Sequence, residues 1–274
     1  MKKVFVQAPG ENWIVDRFVT EWNLDNPDIS VANPHDADVV WLLADWCYRK
    51  VDPDILATKR VMTTIHHLVP EKFGPSEMAE FNDRDRFTDI YHVPNYHTAH
   101  LVKQLTTKPV VVIPYWANQK IWKQTGDKQE FRKKHGLPSD AFLVGSFQRD
   151  TEGHDLISPK LEKGPDILAD ALEVWKKDKN LHIVWGGWRR QYIISRLRRS
   201  EIPFTYFEMP DQTILNELYQ TLDLYPVTAR HEGGPQSFLE CGLLNIPMVS
   251  RSVGIAEQVL PAVSISEDVT RATP

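Results

Sequence analysis

Two glutamates, Glu232 and Glu240, flank a glycine turn in the segment that runs from Thr228 to Gly242. The turn, Gly233-Gly234-Pro235, has the composition of an anion site. Gly233 and Gly234 permit close backbone approach and unusual dihedrals, and Pro235 suits the first position of a helix, where its missing N–H would be an orphan donor anyway. The amides of Gln236, Ser237 and Phe238 then point out of the helix start, where the partial positive dipole favours a phosphate. Side chains on a helix lean toward its N-terminus, so the carboxylate of Glu240 is directed back over the first turn, and Glu232 approaches from the loop ahead. Beside a diphosphate, two carboxylates make sense as acceptors for hydroxyl groups, such as those of a sugar and a ribose. Their repulsion toward an anion requires cations. Arg149, after one strand, and Lys163-Gly164, before a helix, are placed to supply them, Arg by forking onto phosphate oxygens and Lys as a point charge. Each cation alone also reads as an ordinary surface residue; it is their company with the glutamates and the glycine turn that favours a site.

Short apolar runs alternate with helical stretches, the pattern of an α/β protein with parallel sheets covered on both faces. Strands are predicted at Lys3 to Ala8, Asp38 to Ala44, Arg60 to His66, Ile90 to Val93 and Val110 to Pro114. A second series follows at Phe142 to Phe147, His182 to Gly186, Phe204 to Phe207, Asp223 to Val227 and Pro247 to Ser250. Helices fall at Asn12 to Trp22 and Tyr96 to Leu105, then at Pro165 to Asp178, Trp188 to Arg199, Gln212 to Leu222 and Pro235 to Leu244. The polar stretch from Asn118 to Pro138, with one short helix over Lys128 to His135, separates the two series. It divides the chain into residues 1–117 and 118–274, two Rossmann-like halves whose facing strand ends are the expected place for a ligand.

With 274 residues, 42% apolar and 25% charged, the composition is that of a globular protein and excludes disorder, collagen and coiled coil. A net charge of -5 argues against a general nucleic-acid binder. No apolar run is long enough for a membrane span or a signal-peptide core, so a cytoplasmic location is expected. Cys47 and Cys241 show no metal or disulfide spacing. Nine tryptophans are many. Aromatic faces suit sugars, although most such rings pack cores and interfaces. The basic helix with Arg189, Arg190, Arg196, Arg198 and Arg199 reads as a solvated face; the other reading is peripheral docking on an anionic membrane, at its inner face.

Several motifs in order resemble the retaining glycosyltransferases of family 4. Glu232 and Glu240 fit the family's E-x7-E pattern. Phe142 to Arg149 followed by Glu162-Lys163-Gly164 is similar to its glycine strand, diphosphate arginine and E-K-G lysine. Leu181 to Gly187 resembles its strand ending in a glycine turn near the base, here Gly186-Gly187. Leu218-Tyr219 through Pro226, and Val112 to Asn118, match further stretches. The resemblance covers roughly residues 110–260. It implies a GT-B fold of two Rossmann-like domains and transfer of a hexosyl group from a nucleotide diphosphate sugar to an acceptor hydroxyl on a glycan, lipid or small molecule. It further implies retained anomeric configuration, with Glu232 meeting the transferred sugar and Glu240 the ribose, and no metal or other cofactor. The Arg149 to Lys163 spacing is longer than the family's, so Lys160 is an alternative phosphate ligand. After Leu260 the sequence is shorter than the pattern, as in a compact member or a fragment.

In the first half, His66 and His67 end a predicted strand, where the family carries a histidine that faces the sugar. Adjacent strand residues face opposite ways, which favours one of them, and His66 is the choice. Gly10, Asn12 and Trp13 form a candidate acceptor-side loop. Asp83-Arg84-Asp85 spells a metal-type Asp-x-Asp, but in a charged stretch away from any strand end. Two other functions compete with transfer: a non-catalytic sugar-nucleotide-binding protein, and a GT-B-like nucleotide-sugar epimerase.

Overall fold

A computed structural model describes residues 1–12 and 14–272 and divides the chain into two compact α/β units, Met1–Tyr115 and Trp116–Pro274. In the first unit β1 (Val4–Gln7), β2 (Val39–Leu42), β3 (Arg60–Thr64), β4 (Ile90–Val93) and β5 (Val110–Val112) form one parallel sheet in the order β1-β2-β3-β4-β5. The register pairs Val4 with Val39, Val39 with Arg60, Met62 with Ile90 and Tyr91 with Val110. Each connection steps to the adjacent strand, so the loops leaving β1, β2 and β3 emerge side by side at the carboxyl edge. Val40, Leu42, Tyr48, Leu56 and Val61 form one core cluster, and Ile65, Phe81, Tyr91, Val93 and Val102 another. A buried polar chain crosses the sheet: the Trp41 indole N–H donates to Thr64 Oγ1 at 2.8 Å, and Thr64 Oγ1 lies 2.9 Å from His92 Nδ1. His92 Nε2 donates to the Ile113 carbonyl at 2.8 Å, so Nδ1 is the acceptor, and burial lowers the pKa of the ring.

The second unit holds β6 (Phe142–Ser146), β7 (Leu181–Gly186), β8 (Phe204–Phe207), β9 (Tyr225–Val227) and β10 (Met248–Ser250), all paired in parallel. Gly145 N–H to the Leu224 carbonyl (3.0 Å) and a parallel bridge between Val144 and Leu224 join β6 to the start of β9. The lateral order is therefore β8-β7-β6-β9-β10. The chain grows outward from β6 to β8, then returns to β6's other side, which places a topological switch point between the carboxyl ends of β6 and β9. Alternation along the strands divides the core between the two faces. Leu143 and Val184 join Leu218, Phe238 and Leu244 on one side, while Val144, Ile183 and Trp185 join Leu168, Leu172 and Leu197 on the other. Both faces are thus covered, as the apolar strand runs imply.

Three local departures have physical causes. A helix, Pro75–Asp85, carries the Asp-x-Asp motif; it buries only Phe81 and Arg84, so its apolar periodicity is too sparse to read. There Asp83 accepts from Tyr48 Oη, Asp85 accepts from Tyr91 Oη and Thr106 Oγ1, and Arg84 pairs with Asp45 at 3.2 Å. The helix expected from Trp188 starts at Gln191. Arg189, in a left-handed conformation, stacks on Trp188, and Arg190 turns inward to Asp150 at 2.8 Å, with Arg190 at 1% and Asp150 at 2% exposure. Arg196 pairs with Asp170 and Glu173, so the basic helix is partly neutralised within the fold. Strand β9 starts at Tyr225 because Asp223 turns aside to accept from Leu143 N–H, Arg132 and Lys128 at 2.8, 2.6 and 2.5 Å. Among the described residues no helix is long and apolar enough to cross a membrane.

Two stability outcomes follow. Burial opposes ionisation of Asp223, but its bonds from Lys128, Leu143 N–H and Arg132 outweigh that and hold the carboxyl below the usual carboxylate range. Its contribution is therefore complete above an unfolded pKa of about 3.9 and is lost as pH falls through the lower folded value. Urea titrations from pH 7 to pH 3 should show Asp223→Asn less stable than wild type at neutral pH and less sensitive to acid. Arg190→Met strands a buried carboxylate and should cost about 3–5 kcal/mol by chemical denaturation. Adding Asp150→Leu should recover much of that loss.

Candidate functional site

The chain leaving β9 is fastened to the segment ahead of the helix Pro165–Trp175. Thr228 Oγ1 donates to the Gly164 carbonyl at 2.8 Å. The amides of Arg230 and His231 donate to the Glu162 carbonyl at 2.8 and 3.2 Å. The Arg230 guanidinium forks onto both oxygens of Asp166, at 2.8 and 2.6 Å. Gly164 has φ +63°, and a Cβ there would lie 1.9 Å from the Thr228 carbonyl oxygen, so only glycine fits. This clamp brings Lys163 Nζ to 2.6 Å from Glu232 Oε1, with the side chains 18% and 11% exposed. Lys160 turns instead to Glu162, at 2.9 Å. Of the two lysines considered from sequence, Lys163 is the one that stands beside the glutamate.

Strand β6 delivers the neighbouring groups. Gln148 Nε2 donates to the Lys163 carbonyl at 3.0 Å, and half-buried Arg149 follows directly. The long spacing between Arg149 and Lys163 is absorbed by a folded-back loop. Thr151 forms an antiparallel bridge with Pro159, and Lys160 N–H returns to the Asp150 carbonyl at 2.8 Å. The buried Asp150–Arg190 pair anchors the base of this loop; burial pushes the Asp150 carboxyl up, and Arg190 counteracts it. The turn after β7 closes over the same place. Gly187 has φ +97° and lies against the Phe147 carbonyl, and a Cβ on Gly186 would meet the Phe147 ring at 2.8 Å.

The helix Gln236–Leu244 starts one residue later than the sequence suggests, with Pro235 as its N-cap rather than its first residue. Phe238 N–H donates to the Pro235 carbonyl at 3.1 Å, so it is turned into the protein and is not an outward donor. Gln236 and Ser237 hold the first two helical positions, where an α-helix provides no acceptor of its own. Neither Gly233 nor Gly234 is left-handed; their value lies in small size rather than unusual dihedrals. Glu240 is 4% exposed and accepts from Tyr219 Oη at 2.8 Å. Burial, reinforced by the Glu240 charge, raises the Tyr219 pKa well above its ordinary value. The Tyr219 ring in turn meets Phe147 edge-on at 4.7 Å, linking Glu240 to the end of β6. Tyr219 as a partner of Glu240, Gln148 as a brace and the Asp150–Arg190 anchor carry no spacing signal in the sequence; each is specified by folding.

The first-unit candidates occupy a different setting. Strand β3 ends at Thr64, so His66 and His67 lie in the loop beyond it and strict alternation does not govern them. His66 Nε2 donates to the Leu43 carbonyl at 2.8 Å, and its Nδ1 accepts from Tyr115 Oη. Both ring nitrogens thus have intramolecular partners. His67 is half-buried. Gly10 (φ +70°) and Asn12 (φ +52°) are both left-handed, and the Gly10 and Glu11 amides donate to Asp16 at 2.8 Å each. Trp13 lies outside the described residues.

No family model and no curated protein matches the chain. Solved structures do. HepE of Anabaena in complex with UDP and glucose matches with TM-score 0.79 and 14% identity, over 100% of this chain and 89% of that one. The sucrose-phosphate synthase of Thermosynechococcus elongatus matches with TM-score 0.64 and 16% identity, over 94% of this chain and 66% of the other. A glycosyltransferase from Rickettsia africae matches with TM-score 0.65 and 14% identity, over 98% and 86%. The chain has the α/β fold of the GT-B glycosyltransferases, with its parallel strands in two groups.

Proposed function

We propose that this protein is a retaining glycosyltransferase that moves a hexosyl group from a nucleotide diphosphate sugar to an acceptor hydroxyl without a divalent metal ion. The reading is supported above all by the Lys163–Glu232 pair at the carboxyl edge of β6 and β9, with Gln148 bonded to the Lys163 carbonyl, and it assigns Arg149, the start of the helix Gln236–Leu244 and Tyr219-bound Glu240 to the same site. UDP-glucose is the first donor to try and UDP the first nucleotide, since both are present in HepE structures.

Departure of the diphosphate is the difficult step, because negative charge grows on the leaving oxygen as the anomeric carbon becomes cationic. Arg149, Lys163 and the amides of Gln236 and Ser237 supply fixed positive charge and donors for it, the task that a divalent ion performs in other transferases. Glu232 accepts hydrogen bonds from hydroxyls of the transferred sugar. Glu240 accepts from the ribose, with Tyr219 occupying one of its acceptor positions and orienting the carboxylate. Retention follows from the resemblance: attack comes from the face the diphosphate leaves, and a leaving phosphate oxygen takes the acceptor's proton. His66, with both nitrogens engaged, steadies the first-unit loops rather than acting as a base.

Incubation with a panel of nucleotide sugars, with and without acceptors, tests the reading through nucleotide release and sugar analysis. Transfer gives a new glycoside of unchanged anomeric configuration. A binding protein gives no release, and an epimerase changes the donor sugar with no acceptor present. Arg149→Ala should lower kcat about 100-fold with a smaller change in donor KM; unchanged turnover would contradict its role. Glu232→Gln removes the carboxylate that competes with phosphate for Lys163. Calorimetry should show free nucleoside diphosphate binding about tenfold tighter, or ~1.4 kcal/mol, while transfer falls.

A further inference from the structure

Behind β2 the chain makes a short turn, Asp45–Lys50, that is anchored from below. Cys47 and Tyr48 are buried, Tyr48 Oη donates to Asp83 at 2.7 Å, Asp45 pairs with buried Arg84, and Lys50 Nζ reaches back to the Pro9 carbonyl at 2.5 Å. Trp46 is the exposed aromatic residue of this turn, at 45%, and Arg49 and Lys50 are exposed beside it. Its indole N–H donates to Glu11 Oε1 at 3.0 Å, so its one polar group is already engaged and the ring orientation is fixed. The ring rests 5.7 Å from that of His66, which the Leu43 carbonyl and Tyr115 Oη hold in turn. Glu11 is exposed and belongs to the β1 exit loop, where two amides are tied to Asp16 and Asn12 is left-handed. An aromatic plate bonded to the Glu11 carboxylate at its rim and set beside the His66 ring therefore stands where the loops after β1, β2 and β3 lie side by side.

We infer that Trp46 and Glu11 form a carbohydrate subsite that takes a pyranose ring, and that this ring belongs to the acceptor. A pyranose has an apolar C–H face, which stacks on an indole, and a rim of hydroxyls, which a carboxylate accepts. The fixed geometry favours a rigid ring over a flexible chain, since the plate loses little freedom on binding. Assignment of the sugar to the acceptor rests on the glycosyl-transfer reading; the subsite itself rests on the turn, the plate and the carboxylate.

The test is saturation-transfer NMR on the full chain with methyl α- and β-glucopyranoside, methyl β-N-acetylglucosaminide, maltose and cellobiose. At least one probe should take up saturation on its C–H face in wild type. Trp46→Ala should reduce that signal about fivefold or more, Trp46→Phe should keep most of it, and Glu11→Gln should weaken it several-fold. Thermal shifts with UDP, GDP and ADP, measured in parallel, should be the same for wild type and Trp46→Ala. Should Trp46→Ala fail to fold, Glu11→Gln and Trp46→Phe decide. Absence of saturation for every probe, or a signal indifferent to these substitutions, overturns the subsite. A Trp46-dependent sugar signal with no nucleotide shift would instead leave the subsite standing and remove the transferase reading.

Discussion

The second unit is organised around a lysine and a glutamate that do not adjoin in sequence yet stand 2.6 Å apart in a largely water-excluded corner. Neither charge is easily left there alone, since removing one partner of a buried pair strands the other. The contact also has a steric precondition. Gly164 must pass beneath the Thr228 carbonyl so that the Glu162 carbonyl can receive the Arg230 and His231 amides, and only then do Lys163 and Glu232 share a side. On the glycosyl-transfer reading, a sugar linked to a diphosphate offers the lysine an anion and the glutamate hydroxyls together.

The fold explains why that corner exists. In the second unit the strand order reverses between β6 and β9, the kind of switch point at which open α/β sheets bind ligands. In the first unit the order runs straight from β1 to β5, and neighbouring exit loops are left abreast. The two halves share one architecture but present different groups: a lysine–glutamate pair beside the switch point in one, and in the other a row of adjacent loops carrying an indole and a carboxylate.

Much of this was legible from residue type and order. Alternation of short apolar runs with amphipathic stretches placed every strand, Ile90–Val93 and Phe204–Phe207 to the residue, because strands buried on both faces are continuous in apolarity. The grouping of Glu232, Lys163 and the glycine turn could be read because strand exits gather at one edge. What stayed hidden depends on tertiary contact. The helix Pro75–Asp85 is held by Tyr48, Tyr91 and Asp45 from other segments rather than by an apolar stripe of its own. Arg190 looks like part of a basic surface until Asp150 claims it. The inward turn of Phe238 N–H depends on Pro235 being a cap, a difference of one residue that composition does not resolve.

The most direct measurement of the central claim is a crystal structure of the wild-type chain soaked with UDP. The Lys163 ammonium should leave Glu232 and meet a phosphate oxygen, with the ribose hydroxyls on Glu240 and the diphosphate over the start of the helix Gln236–Leu244. A nucleotide lodged elsewhere, with Lys163 still on Glu232, would contradict that claim.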